Sequence, residues 1–300
     1  MILYGCAVTD GDTFARCAEA GVRRLTTAAG DAELLAQPSV GSVARNYNLL
    51  LGRAAERDDL EALVLLHQDV EIVDPRFSPT VRSTLADPQV AIAGCAGAIG
   101  VRGLAWWEGS ITWASLTQRY EEFGGGGEIP GVSWGRDAKP SYVGTGEVDA
   151  IDGCLIVLSP WAVRNLRFDE ELARRHGYDV DICLQARAAG RKVVTADLRV
   201  VHHHSLDLLP DPEEWIQAHI ALAEKWEGQL GIAGADGDGA EWRRRALRAE
   251  AEAAAYRLRM GAAELQRNDA RGKLLETWKS PSWTLTEPVR RLGARFRRSR

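Results

Sequence analysis

Three short stretches carry side chains capable of acid–base or ligand chemistry. In HGYDVD, Asp179 and Asp181 open a stretch whose apolar residues recur at 180, 182, 183, 184, 186 and 188, close to helical period. Carboxylates at a helix start are stabilised by its free N–H groups and dipole, and one held beside a cleft can serve as a base. Asp179 and Asp181 are two residues apart, so on a helix they point about 200° from each other and cannot serve one substrate. In LRVVHHH, His202, His203 and His204 end an apolar run that reads as a strand. Strand ends are where sites gather in open α/β folds. On an extended strand end His202 and His204 share one face and His203 points away. The third stretch, LEALVLLHQD over 60–69, is a continuous apolar run that turns abruptly polar at His67-Gln68-Asp69, as a doubly buried strand does where it reaches a site. Plainer readings exist for each: an N-cap Asp, a His-rich polar loop, an Asp that caps a turn.

These residues need a scaffold, and the flanking sequence supplies one. Cys154 to Leu158 reads as a buried strand, Pro160 to Arg164 as a short helix, and Val193-Val194 as another short strand after a helix stop at Gly190. Nearer the start, Ile2 to Val8 is a buried strand followed by a turn at 9–12, a helix to about Ala20 and a second strand over Val22 to Leu25. Ser39 to Glu56 holds a helix preceded by Gly41, with Arg45 and Asn46 at its beginning. Ser78 to Leu85 reads as a helix, and Val90 to Gly100 as a strand whose Gly94 and Gly97 allow close backbone approach. The run Gly124 to Gly127 has no strand before it and no GKS or GKT after it, so it reads as a flexible loop or lid, not a P-loop. Asp211-Pro212 reads as an N-cap with Pro at N1, starting a helix to about Leu230.

Three hundred residues suit one sizeable domain with an appendage. The five cysteines are scattered without a CxxC pair, which reads as reduced, mostly buried thiols in the cytosol. No apolar run reaches the roughly 20 residues that span a bilayer, and the first residues lack the basic start and long apolar core of a signal peptide. The net charge of −5 conceals an asymmetry. Residues 241–300 hold 16 Lys and Arg against 7 Asp and Glu, while the preceding 240 hold 21 against 35. An acidic body argues against nucleic-acid binding, and the basic tail suits an anionic surface or a partner.

The segment 149–205 resembles the C-terminal half of GT-A-type glycosyltransferases of family 2, and the LEALVLLHQD strand with its HQD end resembles a bacterial subgroup near the StrF-type domain. The likeness is carried by Asp152-Gly153, Phe168-Asp169-Glu170, Asp179, Asp181, Cys183-Leu184, Ala189-Gly190 and His202. Tyr178 stands where the family often has Glu, and Gln185 where it often has Arg. Gly41 with Ala44-Arg45-Asn46, and His67-Gln68-Asp69 at the place of the family's D-x-D motif, extend the likeness; His67 replaces the first Asp. The resemblance implies a GT-A domain over 1–230, a Rossmann-like α/β sandwich with a mainly parallel sheet. A Gly/Asp linker at 231–240 and a helical basic extension over 241–300 would follow.

The implied activity is inverting transfer of a sugar from a nucleoside-diphosphate sugar to a hydroxyl of a saccharide or lipid-linked acceptor. Asp179 would be the base. Arg45, Asn46, His67 and Asp69 would bind the donor. Mn²⁺ or Mg²⁺ would be held by Asp69 with His202, His204 being the reserve ligand. Trp107 and Glu108, with Asp152, would form the acceptor wall, since aromatic faces stack on sugar rings and carboxylates bond hydroxyls. The tail, whose S-x-S-W-x-x-T-x-P-x-R pattern resembles tails of bacterial surface-polysaccharide enzymes, would lie on an anionic membrane or join two copies. The expected location is the cytoplasm, at its membrane face. Two rivals remain: a metal-dependent hydrolase using Asp69 with His202 and His204, and a non-catalytic scaffold that binds the nucleotide-sugar.

Overall fold

The computed structural model of the 300-residue chain describes residues 1–25, 32–121, 128–130, 144–172, 175–205, 207, 209–227 and 239–286. The Gly124–Gly127 loop and nearly all of the 231–240 linker lie outside these residues, as does the tail beyond 286.

In chain order the strands are β1 (Ile2–Val8), β2 (Ala32–Pro38), β3 (Ala62–Leu66), β4 (Val70–Ile72), β5 (Val90–Gly94), β6 (Ala96–Ile99) and β7 (Ser110–Ala114). They continue as β8 (Leu116–Tyr120), β9 (Glu128–Pro130), β10 (Ala150–Ile151), β11 (Leu155–Leu158), β12 (Lys192–Thr195) and β13 (Val200–His204). The central sheet has six strands in the order β12-β5-β11-β3-β1-β2. β2, β1 and β3 pair in parallel, as do β12 and β5, while β11 runs antiparallel between β3 and β5. Every residue of β3, β5 and β11 is buried, as a strand covered on both faces requires. Two smaller sheets, β10-β6-β7 and β4-β13-β8-β9, continue from the ends of these strands.

The helices are α1 (Gly11–Phe14) and α2 (Ala20–Leu25), joined by a π-helical turn, then α3 (Val43–Ala55), α4 (Phe77–Thr84) and α5 (Pro160–Asn165). After them come α6 (Tyr178–Ala188), α7 (Pro212–Lys225), α8 (Gly239–Lys279) and α9 (Pro281–Leu285). This is the expected α/β class with a mainly parallel sheet and a helical C-terminal region. Val22–Leu25 is helix where a strand was expected. Buried Ala18 and Val22 lie four residues apart, one face of a helix, and Arg24 reaches Glu71 on β4. The second strand instead lies at 32–38. The single strand expected over 90–100 is broken at Cys95 into two strands of different sheets.

One apolar and one polar feature fix α6. Its apolar residues are buried nearly all round, so it is sealed between the sheet and the outer helices. Asp181, fully buried, accepts from Gln185 Nε2 at 2.7 Å and Trp226 Nε1 at 2.7 Å, and pairs with Lys225 Nζ at 2.7 Å. One carboxylate thus ties α6 to the end of α7. The first half of α8 is part of the body. Leu247, Ala251, Ala254, Ala255, Leu258 and Ala262 are buried, Arg248 forks onto Glu213, and Arg257 forks onto Glu108 at 2.7 and 2.8 Å.

Asp181→Ala takes the acceptor from the half-buried Trp226 indole N–H, whereas Gln185 keeps the Arg167 carbonyl and Lys225 keeps Asp169. Its expected cost is about 1–3 kcal/mol, the usual loss on leaving a polar group without its partner. Urea unfolding of parent and variant measures it; a loss under about 1 kcal/mol would mean that the indole finds water or another partner.

Candidate active site

The site assembles at the C-terminal end of β3. The strand emerges from the core at Leu66, and alternation gives way to the turn His67-Gln68-Asp69. Gln68 locks that turn to the end of β1: its Oε1 accepts from the backbone N–H of Thr9 at 2.8 Å and Asp10 at 2.9 Å, and its Nε2 donates to the Thr9 hydroxyl at 2.9 Å. β13 is docked alongside, with His203 N–H donating to the Asp69 carbonyl at 2.8 Å. His202 Nε2 therefore lies 3.3 Å from Asp69 Oδ1. One donor atom each from His67, Asp69 and His202 fall within 4.8 Å of one another.

The histidines divide by strand alternation. His202 and His204 stack, ring centroids 4.4 Å apart and 8° from coplanar. His203 turns to the other face and bonds Glu71 at 2.9 Å. His204 does not join the donor cluster. Its Nε2 is taken by the side-chain oxygen of Gln118, and its ring packs on Tyr120. The residue that completes the cluster is His67, assigned above to the donor and not to the metal.

Charge in the cluster is arranged for a cation. Burial alone would raise the Asp69 carboxyl, but His202 and His67 outweigh it and hold the group well below the usual carboxylate range. Burial lowers His67, keeping its imidazole neutral. Burial, reinforced by His202, lowers His204 to about 3. Burial would also lower His202, yet the Asp69 carboxylate raises it. Among the described residues Asp69 Oδ1, though enclosed, meets no well-aligned hydrogen-bond donor, His202 Nε2 standing 3.3 Å away. An enclosed carboxylate oxygen left without a donor, beside two imidazoles, fits a divalent cation.

A cavity of about 280 Å³ opens from this cluster. Its lining includes His67, His202 and His204, then Asp152, Gly153 and Asp179, and the apolar Trp107, Trp215 and Leu258. Asp152 fixes its own turn by accepting from Cys154 N–H at 2.8 Å. Gly153 is required: a Cβ there would meet the Tyr178 hydroxyl at 2.5 Å and Asp179 Oδ2 at 2.9 Å. Burial, and then the charge of Asp152, raise Asp179 to about 7. A carboxyl tuned to that value suits proton transfer near neutrality.

Other expected site residues go elsewhere. Glu108 is bound by Arg257 of α8 and lines a separate groove with His219 and Glu250, not the cavity of Asp179. Trp107 lines the cavity of Asp179, edge-on to buried Trp106. Asn46 is buried and holds the chain before α3: its Oδ1 accepts from Val40 N–H at 2.9 Å, and its Nδ2 donates to the Ser42 carbonyl at 2.8 Å and to the Ser39 hydroxyl at 3.2 Å. Its side chain is a bracket for the loop, whereas Arg45 beside it is exposed. Gln118 and Tyr178 were missed as contact residues. Leu116, Gln118 and Tyr120 alternate onto one face of β8, but nothing local in LTQRY says that β8 pairs with β13.

An α/β domain with a His–Asp–His donor set beside a cavity that also holds a tuned carboxyl has the parts of a group-transfer enzyme. The chain belongs to the glycosyltransferase-like family, whose profile matches residues 6–208, and is a transferase of that kind. It is 29% identical over 208 residues to the streptomycin biosynthesis protein StrF of Streptomyces griseus, covering 68% of this chain and 67% of that one. It is 25% identical over 197 residues to the O-antigen biosynthesis protein RfbC of Myxococcus xanthus, covering 62% of this chain and 14% of that one. Among solved structures, the mannosyltransferase PcManGT of Pyrobaculum calidifontis in complex with GDP-Man and Mn²⁺ aligns at 12% identity and a TM-score of 0.47, over 95% of this chain and 82% of that one. GalNAc-T7 with UDP, GalNAc and Mn²⁺ aligns at 10% identity and 0.48, over 84% and 54%.

The Asp179 carboxyl titrates near 7 when folded and near ~3.9 when unfolded, so in between the folded chain holds a proton that the unfolded chain lacks. Stability accordingly falls as pH rises through that window. Asp179→Asn should melt higher than the parent by a margin that grows from pH 4 to 7 and then levels off. Thermal melts across pH 4–8 check this; a margin independent of pH would show that Asp179 titrates normally.

Proposed function

We propose that this chain transfers a sugar from a nucleoside-diphosphate sugar to an acceptor hydroxyl, with inversion and with a divalent cation, Mn²⁺ or Mg²⁺. The observation that carries this reading is the His67–Asp69–His202 donor cluster beside a cavity that His67, His202 and Asp179, with its raised pKa, line together. Asp69, His202 and His67 would hold the cation, which when bound supplies positive charge to the donor's diphosphate. Arg45, exposed at the start of α3, can fork onto phosphate oxygens. Asp179 takes the proton from the acceptor hydroxyl on the face opposite the leaving diphosphate. Its pKa near 7 leaves a useful fraction ionised at neutral pH while keeping it basic enough to accept that proton. Asp152 keeps that value high by its charge and fixes the turn beneath. Trp107 and Trp215 give the acceptor apolar faces.

The acceptor we propose is a saccharide or lipid-linked saccharide, met at the inner face of a membrane by a cytoplasmic protein. Among the described residues no helix is long and apolar enough to cross a membrane. Yet Leu274, Leu275 and Trp278 form an exposed stripe on α8, and Leu285 on α9 is 80% exposed. Arg271, Lys273 and Lys279 flank them.

A thermal-shift screen of nucleoside diphosphates and their sugars, with and without Mn²⁺, identifies the donor through stabilisation of the native state. With that donor, Asp179→Asn should keep donor affinity and transfer sugar roughly 10²–10⁴-fold more slowly, the usual worth of a general base. Asp69→Asn should instead lose most Mn²⁺-dependent donor affinity in calorimetry. A parent-like transfer rate in Asp179→Asn removes it as the base, and unchanged metal-dependent affinity in Asp69→Asn removes the cation site.

Deleting residues 280–300 should leave transfer to a soluble acceptor intact and weaken flotation with anionic liposomes in a salt-sensitive way. Equal flotation of both forms would point to a protein partner or a second copy.

A further inference from the structure

The Tyr178 hydroxyl sits between two groups. It donates to the Gly153 carbonyl at 3.1 Å and lies 2.6 Å from His67 Nε2. A phenol has one proton and a carbonyl can only accept, so the Gly153 contact uses that proton. With the proton there, the hydroxyl offers His67 a lone pair and Nε2 carries the hydrogen. The lone pair of the His67 ring is then on Nδ1. Burial keeps the arrangement: Tyr178 is 7% exposed, its ring is packed edge-on against Tyr47 at 5.7 Å, and no Cβ fits at Gly153 to push it aside.

We propose that Tyr178 is a positioning residue that fixes His67 as an Nδ1 ligand, and that the resulting donor set of two imidazoles and one carboxylate selects Mn²⁺ over Mg²⁺. The inference rests on the cation reading above. A hydrogen-bond partner on the far nitrogen of a ligating histidine sets its tautomer and aims its ring. Imidazole suits transition-metal cations, whereas Mg²⁺ seeks oxygen ligands and keeps its water. His204 offers no atom to the cluster that His67, Asp69 and His202 form.

The test uses the full chain with Mn²⁺ alone and Mg²⁺ alone, by calorimetry, and pulsed electron paramagnetic resonance of the Mn²⁺ form. The parent should show ¹⁴N coupling from two imidazoles and prefer Mn²⁺ by about tenfold or more. His67→Asp should show one imidazole and lose that preference. Tyr178→Phe keeps the ring and its packing, and should weaken Mn²⁺ binding roughly 10–100-fold. If the hydroxyl only competes with the cation for Nε2, Tyr178→Phe will bind Mn²⁺ more tightly, which overturns the proposal. One imidazole in the parent overturns it and leaves the cation reading standing. No Mn²⁺ binding by the parent overturns both.

Discussion

The Tyr178 hydroxyl is the point on which the site depends. It joins the β3 end through His67, the turn before β11 through Gly153, and the start of α6 through its own backbone. These segments are far apart in sequence and belong to different layers. β11 makes the meeting possible by running antiparallel between β3 and β5, which returns the Asp152-Gly153 turn to the edge where β3 ends. Gly153 has no Cβ because the space is already filled by the phenol and the Asp179 carboxyl. The constraint is steric first and chemical second: a narrow gap holds a tyrosine oxygen in contact with both a carbonyl and an imidazole.

The cavity holds acids driven in opposite directions. Burial acts on both Asp69 and Asp179, but Asp69 faces two imidazoles and Asp179 faces the Asp152 carboxylate. The first is therefore charged at any ordinary pH, fit to hold a cation, and the second is poised to exchange a proton. One chain thus makes two roles from one side-chain type by choosing what stands opposite.

Much of this was legible in the sequence. The LEALVLLHQD run ended as a strand at a polar turn, and VDICLQARA formed the helix that its period required. His202 and His204 shared a face because a strand has period two. Local signals failed where long-range pairing decides. Glu108 looked like an acceptor contact until Arg257, 149 residues later, reached it from α8. His204 looked like a ligand until β8 paired with β13 and brought Gln118 against it. Asn46 looked like a donor contact, but its amide closes the loop from Ser39 to Ser42. In each case a polar side chain advertised chemistry, and its partner, invisible to spacing, consumed it.

The long helix α8 gives the molecule an unusual seam. The family-matching region ends at residue 208, yet Leu258 of α8 forms part of the cavity wall and Trp215 of α7 stands beside it. The proposed cation donors and the proposed base all lie before residue 208, and part of the cavity lining comes from after it. On that proposal, changes in the appended helices reshape the space beside Asp179 without touching the donor cluster, and an exchange of C-terminal segments between related chains would alter which acceptor fits.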